Sequence, residues 1–511
     1  MWRQIRKEWI DSSQGQKIAT IIILMALLPF LALVINHLGP DFDTGANPYQ
    51  HMATIYQAVH GKPLYAPLST EYQSITYTPL YWYISAIPCK LFGMSFFWPR
   101  LISLLASLGC GVILFLWSWR LTEHNFSLSA AVPVIFLSTT YIMHITNWAI
   151  DVNVNALHFF FTFLGFYLLI NPTRRNVILA AVATSAAVLA KQTALAYVIA
   201  MTVMLFFRAR RQIPVFLGLL IVILGVSFWY LESFDGDFYY QIVKANKGVL
   251  WVGKRIFAEV LPFFPELIGF MLPFALVHLL IDDCFDHQSF WRRIWKSEYV
   301  MTAAGLGVAV IATPKIGSGP IHCLVAIAGL SLCGMAGLYQ TAKLIPKVCS
   351  ERICLGVALA QVITVLLLAV PTYPVCLIDR YDREKFTNIA NVFRAGRTCL
   401  FCVPYIQSQF NQPPAGVPDD DPVKWIKGRL TYEFIPNELT LPFKNQEFDY
   451  VIVGPYLDPN HPVAKAIMDN YKTLLGRFPA HPKYPRTGVF RDDCFVLKAN
   501  RLQANLPAIP R

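Results

Sequence analysis

Two aspartates one residue apart, Asp41 and Asp43, follow directly on a long apolar segment. A carboxylate at the edge of such a segment is costly unless it faces water or a partner, so a functional role is the first reading. Within reach of a hydroxyl or amine, a carboxylate can take the proton as that group attacks, which is general-base chemistry. Aspartate is also a common helix N-cap, and the amphipathic stretch Pro48 to His60 begins a few residues later, so capping competes with catalysis for one of the two. A third acid, Asp151, stands in NWAIDVNVN just before another apolar run. It suits a helix cap, a group that positions an acceptor, or, with its asparagines, a weak divalent-metal ligand.

Cations recur at the ends of apolar runs: Arg100, Lys191 beside Gln192, Lys315 and His322. Cations fixed in a partly dry pocket stabilise charge developing on a leaving phosphate better than water does. Lys315 is the strongest, because KIGSGPIH places glycine N–H groups beside the ammonium. Each could instead be an interfacial anchor, and Lys244, Lys247, Lys254 and Arg255 are weaker candidates of the same kind. Tyr77, Pro79, Tyr81, Trp82 and Tyr83 form an aromatic surface suited to an interfacial belt, to stacking on a sugar, or to guiding a polyprenyl chain.

The elements that must position these groups are apolar helices. Of 511 residues, 55% are hydrophobic and 14% charged, and the mean hydropathy is +0.45, far outside the range of soluble domains. Several runs reach the roughly 20 residues needed to cross a bilayer. The segment from Ile18 to Leu38 has spanning length and no small-residue cleavage site, so it reads as a membrane helix rather than a signal peptide. The net charge of +12 sits in short loops, as the positive-inside bias requires, and no basic-aromatic soluble module argues for nucleic acid.

Alternating basic clusters give a path of about eleven crossings, N-terminus cytoplasmic and C-terminus outside. Its expected helices cover about 17–38, 98–119, 128–145, 154–170, a hairpin within 177–207, 213–231, 267–281, 299–313, 323–339 and 353–370. The hairpin follows from basic clusters at Arg174–Arg175 and at Arg208–Arg211, which both belong in the cytoplasm and put Lys191-Gln192 at the outer tip. Residues 77–93 and 48–60 are expected to lie on the outer membrane surface. The fold class expected is thus an all-α polytopic membrane bundle over 1–371, including the outer loop 39–97. A small extracytoplasmic α/β domain over 372–511 follows it, with strands in TCLFCVPYI and FDYVIVGPY and helical spacing from Val463 to Leu475.

Eleven scattered cysteines suit buried packing thiols. Cys399 and Cys402 form a lone C-x-x-C without the second pair a zinc site needs, and a disulfide among Cys376, Cys399, Cys402 and Cys494 is the other reading. No cofactor is specified, although a divalent metal is compatible with Asp151.

The order acid, helix ending in Gly61, Tyr77-Thr78-Pro79-Leu80, then Arg100 opening the second crossing resembles the GT-C superfamily of membrane glycosyltransferases, of the aminoarabinose-transferase and protein O-mannosyltransferase types. Asp151 resembles the family's acid in the second outer loop, Lys191-Gln192 its hairpin tip, and Lys315 to His322 its late loop that handles lipid phosphate. The resemblance covers roughly Lys17 to Tyr339. It departs at Thr78, where the family has proline, and at Asp-Phe-Asp, where Asp-Glu is commoner, leaving open which aspartate is the base. It implies an inverting transferase that moves a sugar from a polyprenyl-phosphate donor to a glycan, lipid or protein acceptor on the periplasmic face of a bacterial inner membrane. Asp43 or Asp41 would be catalytic, and Asp151, Arg100, Lys191, Gln192, Lys315, His322, Tyr77 and Tyr81 would bind substrate. A lipid-linked glycan transporter or flippase is the alternative, although most candidate charges fall at helix ends rather than mid-membrane. A non-catalytic membrane scaffold is a third.

Overall fold

A computed structural model describes residues 10, 13–43, 46–66, 77–141, 148–244, 251–261, 268–285, 294–314, 320–344, 347–370, 374, 377–400, 437–453, 462–480, 482–483 and 494–502. In chain order its helices are α1 Gln14–Met25, α2 Leu28–Leu38, α3 Ala46–Val59, α4 Leu80–Phe92, α5 Phe97–Leu121, α6 Phe126–Ser138, α7 Asn155–Leu168, α8 Arg174–Ala190 and α9 Leu195–Ala209. There follow α10 Ile213–Asp235, α11 Leu272–Phe285, α12 Ser297–Ala312, α13 Leu324–Lys343, α14 Lys347–Ala369, α15 Arg380–Ala395, α16 Asn437–Lys444 and α17 Pro462–Asn470. The strands are β1 Thr398–Leu400, β2 Tyr450–Val453, β3 Thr473–Phe478 and β4 Cys494–Lys498.

Helix occupies most of the described part of each apolar segment expected to cross the membrane. Among the described residues, four stretches are long and apolar enough to span: Gln14–Leu38, Phe97–Leu121, Gln192–Asp235 and Ile321–Lys343. Shorter apolar helices fill Phe126–Ser138, Asn155–Leu168, Ser297–Ala312 and Arg352–Leu368. The third expected crossing is shorter as a helix than its apolar run: α6 gives way to a 3₁₀ turn at Thr139–Tyr141, and 142–147 lie outside the described residues.

Two compact units emerge, one of 1–35, 101–227 and 250–376, the other of 36–100, 228–249 and 377–511. In the first, α1 starts at a capping box between Ser13 and Gln16, which satisfies N–H groups that a helix start leaves open. The ladder breaks at Ala26–Leu27 because Pro29, in the first turn of α2, has no N–H to continue it. Thr20 and Ser127 share a hydrogen bond of 2.6 Å between α1 and α6, the kind of polar contact that joins helices where no hydrophobic drive exists between them.

The hairpin is present as α8 and α9. Thr173 caps α8, and the chain turns extended at Lys191 (φ −156°, ψ 124°) before a 3₁₀ turn, Gln192–Ala194, opens α9. At the far end of α9, Arg208 donates to the carbonyls of Leu169 (3.5 Å) and Ile170 (2.9 Å). That sets a cation on the negative end of α7.

Helix α13 is the buried axis of this unit, with small residues where neighbours press against it. A Cβ at Gly334 would meet Met271 at 2.6 Å, and one at Gly337 would collide with the carbonyl oxygen of Phe274. On the α12 side, a Cβ at Gly329 would collide with Thr302, and one at Gly305 with the backbone of Ala326. Small residues let helix backbones approach, and in lipid that close packing is a main source of association.

In the second unit, α4 buries Tyr81, Trp82, Ser85, Ala86 and Cys89. It turns Ile87, Leu91 and Phe92 outward, all more than 60% exposed. The tail forms a mixed sheet of order β1-β2-β4-β3, with β1 and β2 parallel and the other pairs antiparallel. Phe443, Phe448, Val451, Val463, Ile467 and Tyr471 form its core. The two expected strands are β1 and β2. The expected helix from Val463 ends at Asn470, and Leu474 and Leu475 instead lie in β3, paired to β4. Cys399 on β1 and Cys494 on β4 are buried, while Cys376 and Cys402 lie outside the described residues.

Gly337→Leu is expected to destabilise the protein by more than about 2 kcal/mol, because the Phe274 carbonyl cannot yield as a side chain can. Gly218→Leu, with nothing within 4 Å of its would-be Cβ, should leave stability unchanged. Thermal unfolding in detergent checks the pair, and equal midpoints would contradict the close packing of α11 on α13.

Candidate active site

The acid loop is built around Arg100, in the first turn of α5. Its side chain is fully buried. Nη1 donates to the carbonyls of His37 (2.8 Å) and Pro40 (2.6 Å), and Nη2 donates to the carbonyl of Phe42 (2.8 Å) and to Asp43 Oδ2 (2.7 Å). The guanidinium also lies 4.9 Å from the Phe96 ring centroid, a favourable place for a cation. A planar fork of donors suits this task, since one side chain can satisfy several fixed oxygens at once. Arg100 thus folds residues 37–43 around itself, and its charge is directed to the protein's own loop.

Asp43 is 5% exposed. Besides the ion pair, its backbone N–H donates to the Tyr49 hydroxyl (3.1 Å), which donates in turn to the Asp43 carbonyl (3.3 Å). Tyr49 is completely buried in α3, and burial holds its hydroxyl well above the usual phenol range, so it stays a donor. Main chain and carboxylate of Asp43 are therefore each held by a separate buried group.

Asp41 differs. Its Oδ1 accepts from the N–H of Phe96 (2.9 Å) and from the Ser95 hydroxyl (3.0 Å), while Ser95 Oγ accepts from the N–H of Phe97 (3.1 Å). That side chain caps α5 across a long sequence separation. The capping reading falls on Asp41, but at the helix carrying Arg100 rather than at the adjacent amphipathic helix.

Tyr77 and Tyr81 surround a residue that carried no signal in the sequence. His51 in α3 is buried, accepts at Nδ1 from Trp82 Nε1 (2.9 Å), and lies 5.9 Å from the Tyr77 ring and 6.2 Å from the Tyr81 ring. Tyr81 is buried and donates to the carbonyl of Pro99 (3.0 Å), immediately before Arg100. These aromatic groups tie α3 and α4 to the start of α5. Histidine in an amphipathic helix has no spacing signature, and only its packing shows the role.

Lys191, Asp151, Gln192 and His322 belong to the other unit. Lys191 is 5% exposed, and its ammonium donates to Asn155 Oδ1 (2.8 Å), at the start of α7. The loop before α7 carries Asp151, half-buried, whose Oδ1 accepts from the N–H of Val152 (2.8 Å). The α7 N-cap position belongs to Val154, with Asn153 Oδ1 accepting from the N–H of Asn155 (2.8 Å). Gln192 opens the 3₁₀ turn after Lys191, and His322 is half-buried in the turn Pro320–Cys323 before α13. Lys315 and Lys247 lie outside the described residues; Lys244 and Lys254 are exposed and Arg255 is partly so. Among the described residues, no group of three or more His, Cys, Asp or Glu side chains could hold a metal ion.

Arg100→Met is expected to cost about 3–5 kcal/mol, since it strands the buried Asp43 carboxylate without a counter-charge. The double variant Arg100→Met/Asp43→Asn should recover part of that loss. Chemical unfolding of the four proteins measures the coupling, and strictly additive losses would contradict a buried pair.

No protein-family model matches the chain, and no curated protein is detectably similar to it in sequence. Solved structures do match. ArnT from Cupriavidus metallidurans in the apo state aligns with TM-score 0.60 at 13% identity, covering 95% of this chain and 98% of that one. The same protein bound to undecaprenyl phosphate gives 0.58 at 13% identity, covering 97% and 100%. The archaeal oligosaccharyltransferase AglB from Archaeoglobus fulgidus, in complex with an inhibitory peptide and a dolichol-phosphate, gives 0.55 at 12% identity, covering 97% and 76%. The likeness shows that the chain shares the fold of these ArnT and AglB structures, and among the described residues it carries helices long and apolar enough to cross a membrane.

Proposed function

We propose that this protein is an inverting glycosyltransferase that moves a sugar from a polyprenyl-phosphate donor to an acceptor at the outer face of a bacterial inner membrane. The observation that carries the reading is Asp43, a carboxylate held at main chain and side chain by Tyr49 and Arg100, in a chain whose fold is shared with a structure bound to undecaprenyl phosphate. A base must be held in place to remove a proton at the moment of attack, and a substantial share of an enzymatic barrier can be removed by such positioning.

In the reaction, the acceptor hydroxyl or amine gives its proton to the Asp43 carboxylate while its lone pair attacks the anomeric carbon. The bond from that carbon to the phosphate oxygen breaks on the opposite side, so the configuration inverts and polyprenyl phosphate leaves with the electron pair. Lys191 is our first candidate to receive the phosphate. It is a buried ammonium at a break between helices, already oriented by Asn155, and a desolvated cation stabilises developing charge without reorganising. Lys315 and His322 are candidates for the same role, and Asp151 for placing the acceptor. Arg100 acts through Asp43.

The positive-inside bias sets the proposed orientation, with the N-terminus cytoplasmic and the tail periplasmic. The outward apolar face of α4, with Lys90 exposed among Ile87, Leu91 and Phe92, suits a helix lying in the outer headgroup region, beside the path of a lipid donor.

Purified protein given a radiolabelled polyprenyl-phosphate sugar and envelope extract tests the reading. Asp43→Asn should lower transfer by about 10²–10⁴-fold, and Asp41→Asn should retain most of it. Lys191→Gln should raise the donor KM. Undiminished transfer by Asp43→Asn would sink the assignment of the base.

A further inference from the structure

The acid loop is also held from the far end of the chain. Asn36, in the last turn of α2, pairs with both main-chain groups of Ile378: its Nδ2 donates to the Ile378 carbonyl (3.0 Å), and its Oδ1 accepts from the Ile378 N–H (2.8 Å). Six residues on, the ring of Phe42 stacks on Phe386 of α15, with centroids 4.6 Å apart and planes 13° from parallel. Phe42 immediately precedes Asp43, and its carbonyl is one of the four oxygens that Arg100 holds. The segment 36–43 is thus pinned near both ends by the chain just before and within α15, while Arg100 fills its interior.

Helix α15 is not a loose strap. Asp379 and Asp382 close a capping box at its start. The Lys385 ammonium donates to the carbonyl of Pro479 (2.8 Å), and the Tyr381 hydroxyl to the carbonyls of Pro479 (2.9 Å) and Ala480 (3.2 Å), just past the end of β3. A continuous set of contacts therefore runs from the sheet through α15 and Phe386 to Phe42 and the neighbouring acid.

We propose that the C-terminal domain sets the position of Asp43 through the Phe386–Phe42 stack and the Asn36–Ile378 pair, so that these four residues are positioning residues for the reaction. The kinetic consequence rests on the proposed transfer reaction; the mechanical coupling does not. A geometric error of an ångström at a reacting group lowers the rate without weakening binding of the remote parts of a substrate. Any ligand or partner that moves the C-terminal domain would then adjust transfer by the same route.

The test uses the full-length protein in lipid nanodiscs, with Phe386→Ala, Phe386→Tyr and Asn36→Ala. Amide exchange in residues 37–43 should rise about tenfold in Phe386→Ala and Asn36→Ala, with α3 unchanged, and return to the wild-type level in Phe386→Tyr. Transfer kinetics should show kcat lowered by about tenfold or more at unchanged donor KM, again recovered in Phe386→Tyr. Altered exchange in a protein that transfers no sugar even as wild type would keep the coupling and remove the transferase reading. Unchanged exchange in both alanine variants would overturn the coupling, whatever the activity.

Discussion

A fully buried guanidinium is the constraint on which the acid loop and the helices packed around it depend. Removing such a charge from water is expensive, and it is tolerated only when oxygens replace the lost hydration. The two terminal nitrogens of Arg100 meet that demand with three main-chain carbonyls and one carboxylate. Those oxygens belong to residues 37–43, which run from the last turn of α2 into an irregular segment over 39–43. Cation and loop therefore order each other: the charge needs the loop's oxygens, and the loop needs a donor with a rigid fork. Asp43 enters as the member that brings a full negative charge, so its orientation belongs to the same arrangement that folds the segment.

Around that centre the fold supplies supports at three levels. Asp41 and Ser95 fix the start of α5, from which Arg100 projects. Buried aromatic side chains on α3 and α4 close in from one side, with Tyr49 on the Asp43 main chain and Tyr81 on the residue before Arg100. Asn36 and Phe42 extend the support to Ile378 and to Phe386 of α15. In the helical unit, a comparable economy governs Lys191. A lysine in an apolar hairpin needs an acceptor, and it obtains one where the helix is broken and Asn155 begins the next. Close helix contacts along α13, allowed by glycines, give that unit a frame stiff enough to hold such a break.

The helices were legible because a bilayer demands long apolar runs, and the short hairpin could be placed from the break at Lys191-Gln192 between the basic clusters at Arg174–Arg175 and Arg208. The strands β1 and β2 were legible as short apolar runs bounded by turn residues, whereas Leu474 and Leu475 looked helical because their pairing with β4 is non-local. The site was legible as a set of residue types, not as roles. Asp41 and Asp43 are equivalent in one dimension; they part only when Phe96, far along the chain, takes one as a cap and Arg100 takes the other. Arg100 itself read as a rim cation available to phosphate, since nothing in a sequence shows carbonyls folding back onto a side chain. His51, Asn36 and Phe386 gave no signal for the same reason.

In the proposed reaction, Arg100 organises the acid and does not bind the donor's phosphate. The most direct measurement is the affinity of Arg100→Lys protein for undecaprenyl phosphate, taken on the folded fraction and set beside its transfer rate at saturating donor. Wild-type affinity with transfer largely lost is expected, because an ammonium keeps the charge but cannot hold four oxygens. Weakened lipid-phosphate binding with normal turnover at saturation would contradict it.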